Sequence, residues 1–282
     1  MKTIILCGGE GTRMKEETEF KPKPLVLVGG KPMLWHIMKI YAHYGYNEFI
    51  LALGYKGDMI KDYFLNQRKY LNEFTLDTKT DKITFHNDQA DDFKITFVET
   101  GLKSLTGERV RRIQKFVDGE DFMLTYGDGL ANINIKELVE FHKKQNSVGT
   151  ITGVHPISRF GIMSINEETR RVKKFRQFGV VEDQMNAEQI HQARTSYVED
   201  FINGGFMVFK NDFFQHIKKD SMIEETFIPL AEEGELSVYE HAGQWKAMDT
   251  YKDVEEMNVF WQKDPFWKVW RDEKPIASVG KY

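Results

Sequence analysis

The sequence of 282 residues contains a single cysteine, Cys7, which lies in the first apolar run of the chain. One cysteine cannot form an internal disulfide, so the fold must depend on packing and not on cross-links. We interpret Cys7 as a buried structural thiol, because free cysteines are among the residues most often buried. A metal-binding or nucleophilic role would need partner side chains that the neighbouring sequence does not offer.

Long hydrophobic runs are also missing. No stretch approaches the roughly 18–20 apolar residues of a membrane span. A signal-peptide core is absent as well, because Glu10, Arg13 and Lys15 follow the short run Ile4-Ile5-Leu6 closely. We therefore expect no membrane partner and a cytoplasmic location.

Positive charge is not in excess, since 39 Lys and Arg residues face 43 Asp and Glu residues and the formal net charge is −4. Broad nucleic-acid binding needs a basic face, so we expect no nucleic-acid partner. Small phosphate-bearing substrates are compatible with this charge, because a few local cations and a divalent metal can bind them. The hydrophobic content of 41% is typical of a packed globular protein.

Apolar runs that end at or near glycine recur along the chain and alternate with helical patterns. Residues 3–7, 49–53 and 122–126 are typical of buried strands, and apolar residues over 31–44 have helical spacing. Strand, helix and strand within about 50 residues indicate a βαβ unit and a parallel sheet. The patterns further predict a helix over 135–144, strands over 150–154 and 202–209, and a helix over 250–262.

Three segments fall outside this alternation. Residues 75–98 are predicted to form a β excursion at a sheet edge, and the polar residues 166–200 a surface arm or lid. The tail contains Trp261, Trp267 and Trp270, which we assign to packing or to a subunit contact. We predict one domain over residues 1–282, with insertions at about 75–98 and 166–200 and a C-terminal helical tail at about 250–282.

A glycine-rich loop with the sequence Gly-Gly-Glu-Gly-Thr-Arg, residues 8–13, leaves the first predicted strand. Backbone N–H groups at such a turn can converge on an anion, and Arg13 can bind phosphate oxygens through two donors. The spacing matches neither the dinucleotide fingerprint nor the P-loop, so a generic turn is the alternative. Lys23 lies between Pro22 and Pro24 on a stiffened backbone, which favours a fixed phosphate contact over a solvated basic turn.

Two aspartates are candidate metal ligands. Asp128 follows a predicted buried strand, at the position where open α/β sheets bind ligands. Asp249 directly precedes the last long predicted helix. Each has a simpler interpretation, an Asp-Gly turn for Asp128 and a helix N-cap for Asp249. Together they would form a two-carboxylate site for a nucleotide-bound Mg²⁺.

These residues give the chain a resemblance to the sugar-nucleotide pyrophosphorylases, nucleotidyltransferases that make an NDP-sugar from an NTP and a sugar 1-phosphate. The family signature G-x-G-T-R, a threonine and P-K-P appears at residues 9–13, Thr18 and 22–24. Within the family the chain is most similar to the glucose-1-phosphate cytidylyltransferases, from Met1 to about Trp270. Supporting segments are Gly54-Tyr55-Lys56-Gly57, Thr106-Gly107-x-Arg109, Arg159-Phe160-Gly161, Ile202-Asn203-Gly204-Gly205-Phe206 and Met248-Asp249-Thr250.

The resemblance implies a CTP-dependent enzyme with Mg²⁺ as cofactor, a small phosphorylated acceptor such as glucose 1-phosphate, and a homo-oligomeric state. With the βαβ pattern, it predicts a Rossmann-like three-layer α/β sandwich with a mixed, mostly parallel central sheet and β or lid insertions.

The resemblance also implies a role for each matching residue. Arg13 would hold the β- and γ-phosphates, and Lys23 would stabilise charge at the α-phosphate. Asp128 and Asp249 would bind the metal. The residues expected to bind the nucleotide are Gly8, Gly9, Gly11, Thr12, Thr106 and Arg109, and those expected to bind the acceptor are Gly161, Lys174 and Asn203.

The sequence departs from the family at the acceptor side. Family members usually carry Glu-Lys-Pro after a V-x-x-F strand, whereas residues 172–175 are followed here by Arg176-Gln177-Phe178-Gly179. Either Lys174 or Arg176 replaces the missing lysine, or the acceptor is not glucose 1-phosphate.

Two other classes of function are disfavoured. An inactive nucleotide-binding homologue would usually have lost a signature arginine, lysine or aspartate, and this sequence keeps Arg13, Lys23, Asp128 and Asp249. A glycosyltransferase that uses a preformed nucleotide sugar would be expected to carry a D-x-D motif, which the predicted core strands lack.

Overall fold

A seven-stranded sheet forms the centre of the protein in the computed structural model, which describes residues 1–87, 89–155, 162–165, 172–176 and 201–271. The strands are β1 (Lys2–Leu6), β2 (Leu27–Val28), β3 (Lys31–Pro32), β4 (Glu48–Leu53), β5 (Phe74–Asp77), β6 (Lys82–Phe85), β7 (Lys94–Glu99), β8 (Phe122–Tyr126), β9 (Gly129–Ala131), β10 (Gly149–Val154), β11 (Ile162–Ile165), β12 (Val172–Arg176), β13 (Ile202–Phe209), β14 (Leu236–His241) and β15 (Trp245–Ala247).

Seven α-helices are found within the described residues: α1 (Lys15–Thr18), α2 (Met33–His43), α3 (Gly57–Leu71), α4 (Thr106–Ile113), α5 (Ile135–Gln145), α6 (Glu224–Glu232) and α7 (Tyr251–Lys263). Short 3-10 helices cover Thr12–Met14, Lys23–Leu25, Gln114–Phe116 and Asn211–His216. None of the helices in the described ranges is long and apolar enough to cross a membrane.

The central sheet has the strand order β14-β10-β13-β8-β1-β4-β7. The pairs β1–β4, β1–β8, β4–β7 and β10–β14 are parallel, and β13 is antiparallel to both of its neighbours. This confirms the predicted mixed, mostly parallel sheet. The parallel strands β1, β4 and β8 therefore present their carboxyl ends at one edge, where the glycine-rich loop and Asp128 begin.

Helices cover both faces of the sheet, so that alternate residues of its strands are buried on opposite sides. Ile5 of β1 packs in a cluster with residues of α2 and α7, such as Ile37 and Met257. Ile4 packs in a second cluster that includes Val110 of α4 and other residues of α4 and α6. The arrangement confirms the predicted three-layer α/β fold, and Cys7 is the predicted buried thiol, with 1% of its surface exposed.

Most predicted elements are confirmed within two residues of their ends, but the prediction for residues 75–98 is only partly correct. Strands β5 and β6 form a separate hairpin. Strand β7 instead pairs in parallel with β4, so it is the edge strand of the central sheet. The prediction of an arm or lid over 166–200 lies outside the described residues, apart from the backbone of β12, which pairs with β11.

The tryptophans of the tail are packing residues. Trp267 is fully buried and Trp270 is 7% exposed. The Trp267 indole N–H donates to Nδ1 of His36 (3.3 Å), and Nε2 of His36 donates to the Val28 carbonyl (2.8 Å). Burial lowers the pKa of His36 to about 4, so the ring is neutral at physiological pH.

Candidate active site

The glycine-rich loop begins where β1 ends and requires glycine at two positions for different reasons. A Cβ at Gly8 would collide with the Arg109 guanidinium, whereas Gly11 has a φ of +63°, in the left-handed region. The Thr18 hydroxyl donates to the Gly11 carbonyl (3.1 Å) and fixes the far end of the loop. A Cβ at Gly9 would meet no atom within 4 Å, so the middle of the loop is open.

Arg109 lies directly beneath this loop, and 4% of its surface is exposed. Its Nη2 donates to the carbonyls of Gly8 (2.9 Å) and Leu102 (3.2 Å). Its Nη1 donates to the Gly101 carbonyl (2.7 Å), the Leu53 carbonyl (3.1 Å) and the hydroxyl of Thr100 (2.8 Å). One guanidinium therefore joins the chain segments that follow β1, β4 and β7.

Lys23 brings the two predicted metal ligands together. Its Nζ lies 2.6 Å from Oδ2 of Asp128 and 2.9 Å from Oδ1 of Asp249. Burial lowers the pKa of Lys23, but the two carboxylates outweigh this effect and raise the pKa above its usual value. The lysine is therefore a permanent cation at neutral pH, held between two carboxylates.

The convergence of the aspartates has a structural cause in a short antiparallel ladder. Strand β9 follows Asp128, strand β15 precedes Asp249, and the two strands pair with Ala247 opposite Gly129. The ladder is extended by a hydrogen bond from the Met248 N–H to the Asp128 carbonyl (2.8 Å). Two residues far apart in the sequence thus lie side by side.

The interpretation of Asp249 as a helix N-cap is wrong, because Thr250 occupies that position of α7. The Thr250 side chain accepts from the N–H of Asp253, and the Asp253 carboxylate closes a capping box. Oδ2 of Asp253 accepts from the N–H of Asp249 (3.1 Å), the N–H of Thr250 (2.8 Å) and the Thr250 hydroxyl (2.7 Å). The Asp249 side chain is thereby left to face Lys23.

Arg13 and Thr12 lie on the solvent side of the loop. Nη1 of Arg13 is 3.5 Å from Oδ2 of Asp249, and 78% of the Arg13 side chain is exposed. Thr12 is also exposed. An exposed arginine beside the two carboxylates is well placed to meet a polyphosphate that enters from solvent.

Beside these residues lies a cleft of about 300 Å³, which is lined by Gly8, Gly9 and Gly11 but not by Thr12, Arg13 or Asp249. One wall contains the glycine loop, Lys23 and Asp128, and a second wall contains Leu105, Thr106 and Met222. The second wall is held by the loop before α6, because the Thr106 hydroxyl accepts from the N–H of Ile223 (2.9 Å).

The three predicted acceptor residues are only partly placed. Nδ2 of Asn203 on β13 lies 3.3 Å from the hydroxyl of Tyr126, a residue that lines the cleft. Gly161 lies outside the described residues. Lys174 is within β12, where only the backbone is described, opposite Ser164 of β11.

The donor set suits a small divalent cation that is shared with a substrate. In the described part of the chain, no group of three or more His, Cys, Asp or Glu side chains is arranged to hold a metal by itself. Asp128 and Asp249 nevertheless lie within hydrogen-bonding distance of one ammonium group, so they are close enough to share one cation. Mg²⁺ is commonly held by one or two carboxylates together with substrate phosphates.

Sequence reasoning missed several residues that shape this site. Asp253 could have been found, because Thr250 and Asp253 have the spacing of a capping box. Glu224 and Met222 were not singled out, since a lone carboxylate or thioether side chain carries no motif.

Comparison with known proteins agrees with this geometry. The nucleotidyl transferase family profile matches residues 2–266. The chain is 45% identical over 274 residues to the Bacillus subtilis (strain 168) protein named "Probable glucose-1-phosphate cytidylyltransferase", covering 96% of this chain and all of that protein. It is 38% identical to the glucose-1-phosphate cytidylyltransferase of Salmonella typhi, with the same coverage.

The crystal structure of HddC from Yersinia pseudotuberculosis has the same fold, with a TM-score of 0.63, 21% sequence identity and coverage of 92% of this chain and 99% of that one. The family match spans most of the chain, and the glycine loop, Lys23 and the two aspartates lie within it. The chain therefore belongs to the nucleotidyl transferase family and groups with the glucose-1-phosphate cytidylyltransferases.

Proposed function

We propose that the protein transfers CMP from CTP to glucose 1-phosphate and releases pyrophosphate, giving CDP-glucose. The observation that carries this proposal is the contact of Lys23 with both Asp128 and Asp249 beside an open glycine loop. Relatives at 38–45% identity over nearly the full length carry the same activity in their names.

The chemistry needs no covalent intermediate. A phosphate oxygen of the acceptor attacks the α-phosphorus of CTP, and the bond from that phosphorus to the oxygen bridging to the β-phosphate breaks. Both electrons of the broken bond leave with pyrophosphate. Catalysis then consists of positioning the two anions and stabilising the charge that develops between them.

The residues of the site divide this work. Backbone N–H groups of Gly9 and Gly11 approach the phosphates, and Arg13 neutralises the departing pyrophosphate. Lys23 donates to the α-phosphate, and its raised pKa keeps it charged at neutral pH.

A bound Mg²⁺, held by Asp128 and Asp249, would offset charge on the triphosphate. Because Lys23 pairs with both carboxylates in the structure, the same group that would face the phosphate also keeps the two acidic side chains in place.

Arg109 has a different role in this proposal from the one the sequence implies. Its guanidinium donates to carbonyls of the loops beneath the nucleotide site, which makes it a positioning residue for Gly8.

The acceptor is the less constrained half of the reaction. The names of the relatives favour glucose 1-phosphate, whereas the missing Glu-Lys at Gln177 and Phe178 favours a different phosphorylated acceptor. Pyrophosphate release should therefore be measured with CTP against a panel of hexose 1-phosphates and non-sugar phosphates, with UTP and dTTP as nucleotide controls.

We expect CTP with glucose 1-phosphate to give the highest kcat/KM. Efficient turnover with another acceptor, and none with glucose 1-phosphate, would identify the alternative substrate. No turnover with any acceptor would contradict the proposed function. The homo-oligomeric state and the cytoplasmic location stay predictions, and light scattering tests the first.

A further inference from the structure

Three polar side chains from separate elements form a continuous hydrogen-bonded chain, and the middle one, Tyr126, lines the cleft. Oε1 of Glu224, the first residue of α6, lies 2.5 Å from the hydroxyl of Tyr126, at the end of β8. The same hydroxyl lies 3.3 Å from Nδ2 of Asn203 on β13. We call Glu224, Tyr126 and Asn203 the rim relay.

The direction of each hydrogen bond in the rim relay follows from the chemistry of its ends. A carboxylate can only accept, so the Tyr126 hydroxyl donates its single proton to Glu224. The phenolic oxygen then accepts from the Asn203 amide.

The other end of Asn203 is fixed by the backbone. Its Oδ1 accepts from the N–H of Gly205 (2.8 Å). The amide nitrogen therefore faces Tyr126 and the amide oxygen faces the turn of β13, and a flipped amide would lose both hydrogen bonds. Among the described residues these are the hydrogen bonds of the Asn203 side chain, which leaves one N–H of the amide for a ligand.

The position of the relay suits recognition of the acceptor. Tyr126 directly precedes Gly127 and Asp128 in the chain, and all three line the cleft. The Glu-Lys pair that would contact a sugar and its phosphate is replaced by Gln177 and Phe178 in this sequence, so hydroxyl recognition must come from other side chains.

We propose that Glu224 and Tyr126 are positioning residues that orient the Asn203 amide to donate to a hydroxyl of the phosphorylated acceptor. The inference rests on the proposed function. Glu224 also approaches the Thr106 hydroxyl at 3.5 Å. That hydroxyl accepts a shorter hydrogen bond from the Ile223 N–H (2.9 Å), so the position of Thr106 does not depend on Glu224.

The test is a comparison of KM values for the two substrates. Tyr126→Phe and Glu224→Ala each break the relay, and we expect each to raise KM for glucose 1-phosphate by about 3–10-fold, the effect of one hydrogen bond. KM for CTP should change by less than about twofold. Because both variants interrupt one chain of bonds, the double variant should be no worse than Tyr126→Phe alone.

Matched controls separate this role from general packing. Glu224→Gln keeps a carbonyl oxygen that can accept from Tyr126, so it should restore most of the acceptor affinity lost in Glu224→Ala. Tyr239 hydrogen-bonds to Glu137 through its hydroxyl (3.3 Å) away from the cleft, and Tyr239→Phe should leave both KM values unchanged. Circular dichroism and thermal unfolding check that each variant is folded.

Each outcome decides the inference. Equal changes in KM for CTP and acceptor, additive effects in the double variant, or unchanged KM for the acceptor would overturn the relay. If Tyr126→Phe does not fold, Glu224→Ala and Glu224→Gln still test the relay, because Glu224 is exposed. Failure of the wild-type protein to turn over CTP would contradict the proposed function instead, and the relay would then be judged by the affinity for glucose 1-phosphate in calorimetry.

Discussion

Replacement of Arg109 by lysine tests whether this residue holds the fold of the site or binds the nucleotide directly. The structure gives the Arg109 guanidinium five acceptors: the carbonyls of four residues and one hydroxyl. A lysine ammonium carries three N–H donors on one atom, so at least two of these five acceptors would lose their hydrogen bond from residue 109. The carbonyls of Gly8 and Leu53 would keep other donors, the N–H groups of Tyr55 and Thr100.

The magnitude follows from that deficit. A typical hydrogen bond contributes about 0.5–1.5 kcal/mol, so the loss of two predicts that Arg109→Lys lowers the free energy of unfolding by about 1–3 kcal/mol. The positive charge is retained in this variant, so the loss reports on geometry and not on net charge.

Urea unfolding of the full chain, followed by tryptophan fluorescence and circular dichroism, measures this loss. The control is Arg271→Lys, because Arg271 is exposed and a substitution there should change the free energy of unfolding by less than about 0.5 kcal/mol. Wild-type stability in Arg109→Lys would refute the reasoning. Wild-type stability with lost CTP binding would show that the guanidinium contacts the nucleotide.

Three further predictions concern the rest of the site and the core. Lys23→Ala should lower kcat by ~10²–10³, because it removes one charge contact made in the transition state; steady-state kinetics with unchanged circular dichroism would show it, and a wild-type rate would contradict the assignment. Asp253→Asn replaces the carboxylate oxygen that accepts from the Asp249 N–H, so it should lower Tm. It should also raise the Mg²⁺ concentration needed for half-maximal CTP binding, which calorimetry measures. A lowered Tm with unchanged Mg²⁺ dependence would limit Asp253 to a structural role. His36 has a folded pKa of about 4 against an ordinary value of 6.5, so the unfolded chain binds the proton more readily and stability should fall by up to about 3 kcal/mol as pH drops from 6.5 to 4. Unfolding measured across this range should show a steeper slope in the wild-type protein than in His36→Asn, where the other buried histidines still contribute, and equal slopes would contradict the prediction.

Much of the fold could be predicted because the central strands carry an unmistakable pattern. Residues of β1, β4 and β8 are buried on both faces, so their sequences are continuous apolar runs. The sequence also placed Asp128 correctly at the carboxyl end of β8, since parallel strands present those ends at one edge of the sheet.

Strand β7 was predicted as part of the excursion, not as a strand of the central sheet, for an equally physical reason. It lies at the edge of the sheet with most of its residues partly exposed, so Lys94–Glu99 alternates between polar and apolar residues like a solvated antiparallel strand. Alternation reports exposure and not strand direction, and only the pairing with β4 in space distinguishes the two.

The position of Arg109 could not be read from the sequence at all. An arginine on a short helix is usually solvent-exposed. Its burial depends on carbonyls that arrive from the ends of β1, β4 and β7, which are distant in sequence. The cap of α7 was missed more narrowly, since Thr250 follows Asp249 and both residue types are good N-caps.

The β9–β15 ladder positions the two proposed metal ligands with strands that lie apart, in the sequence, from the segment expected at the acceptor side. Backbone pairing of β9 with β15 brings Asp128 and Asp249 side by side, and both strands lie outside residues 156–200 in the sequence. That intervening stretch includes Gln177 and Phe178, where the sequence departs from its family. Chimeras that exchange this segment for that of another family member therefore leave the strands that carry the two proposed metal ligands unaltered in sequence, which makes the segment a natural place to test other phosphorylated substrates.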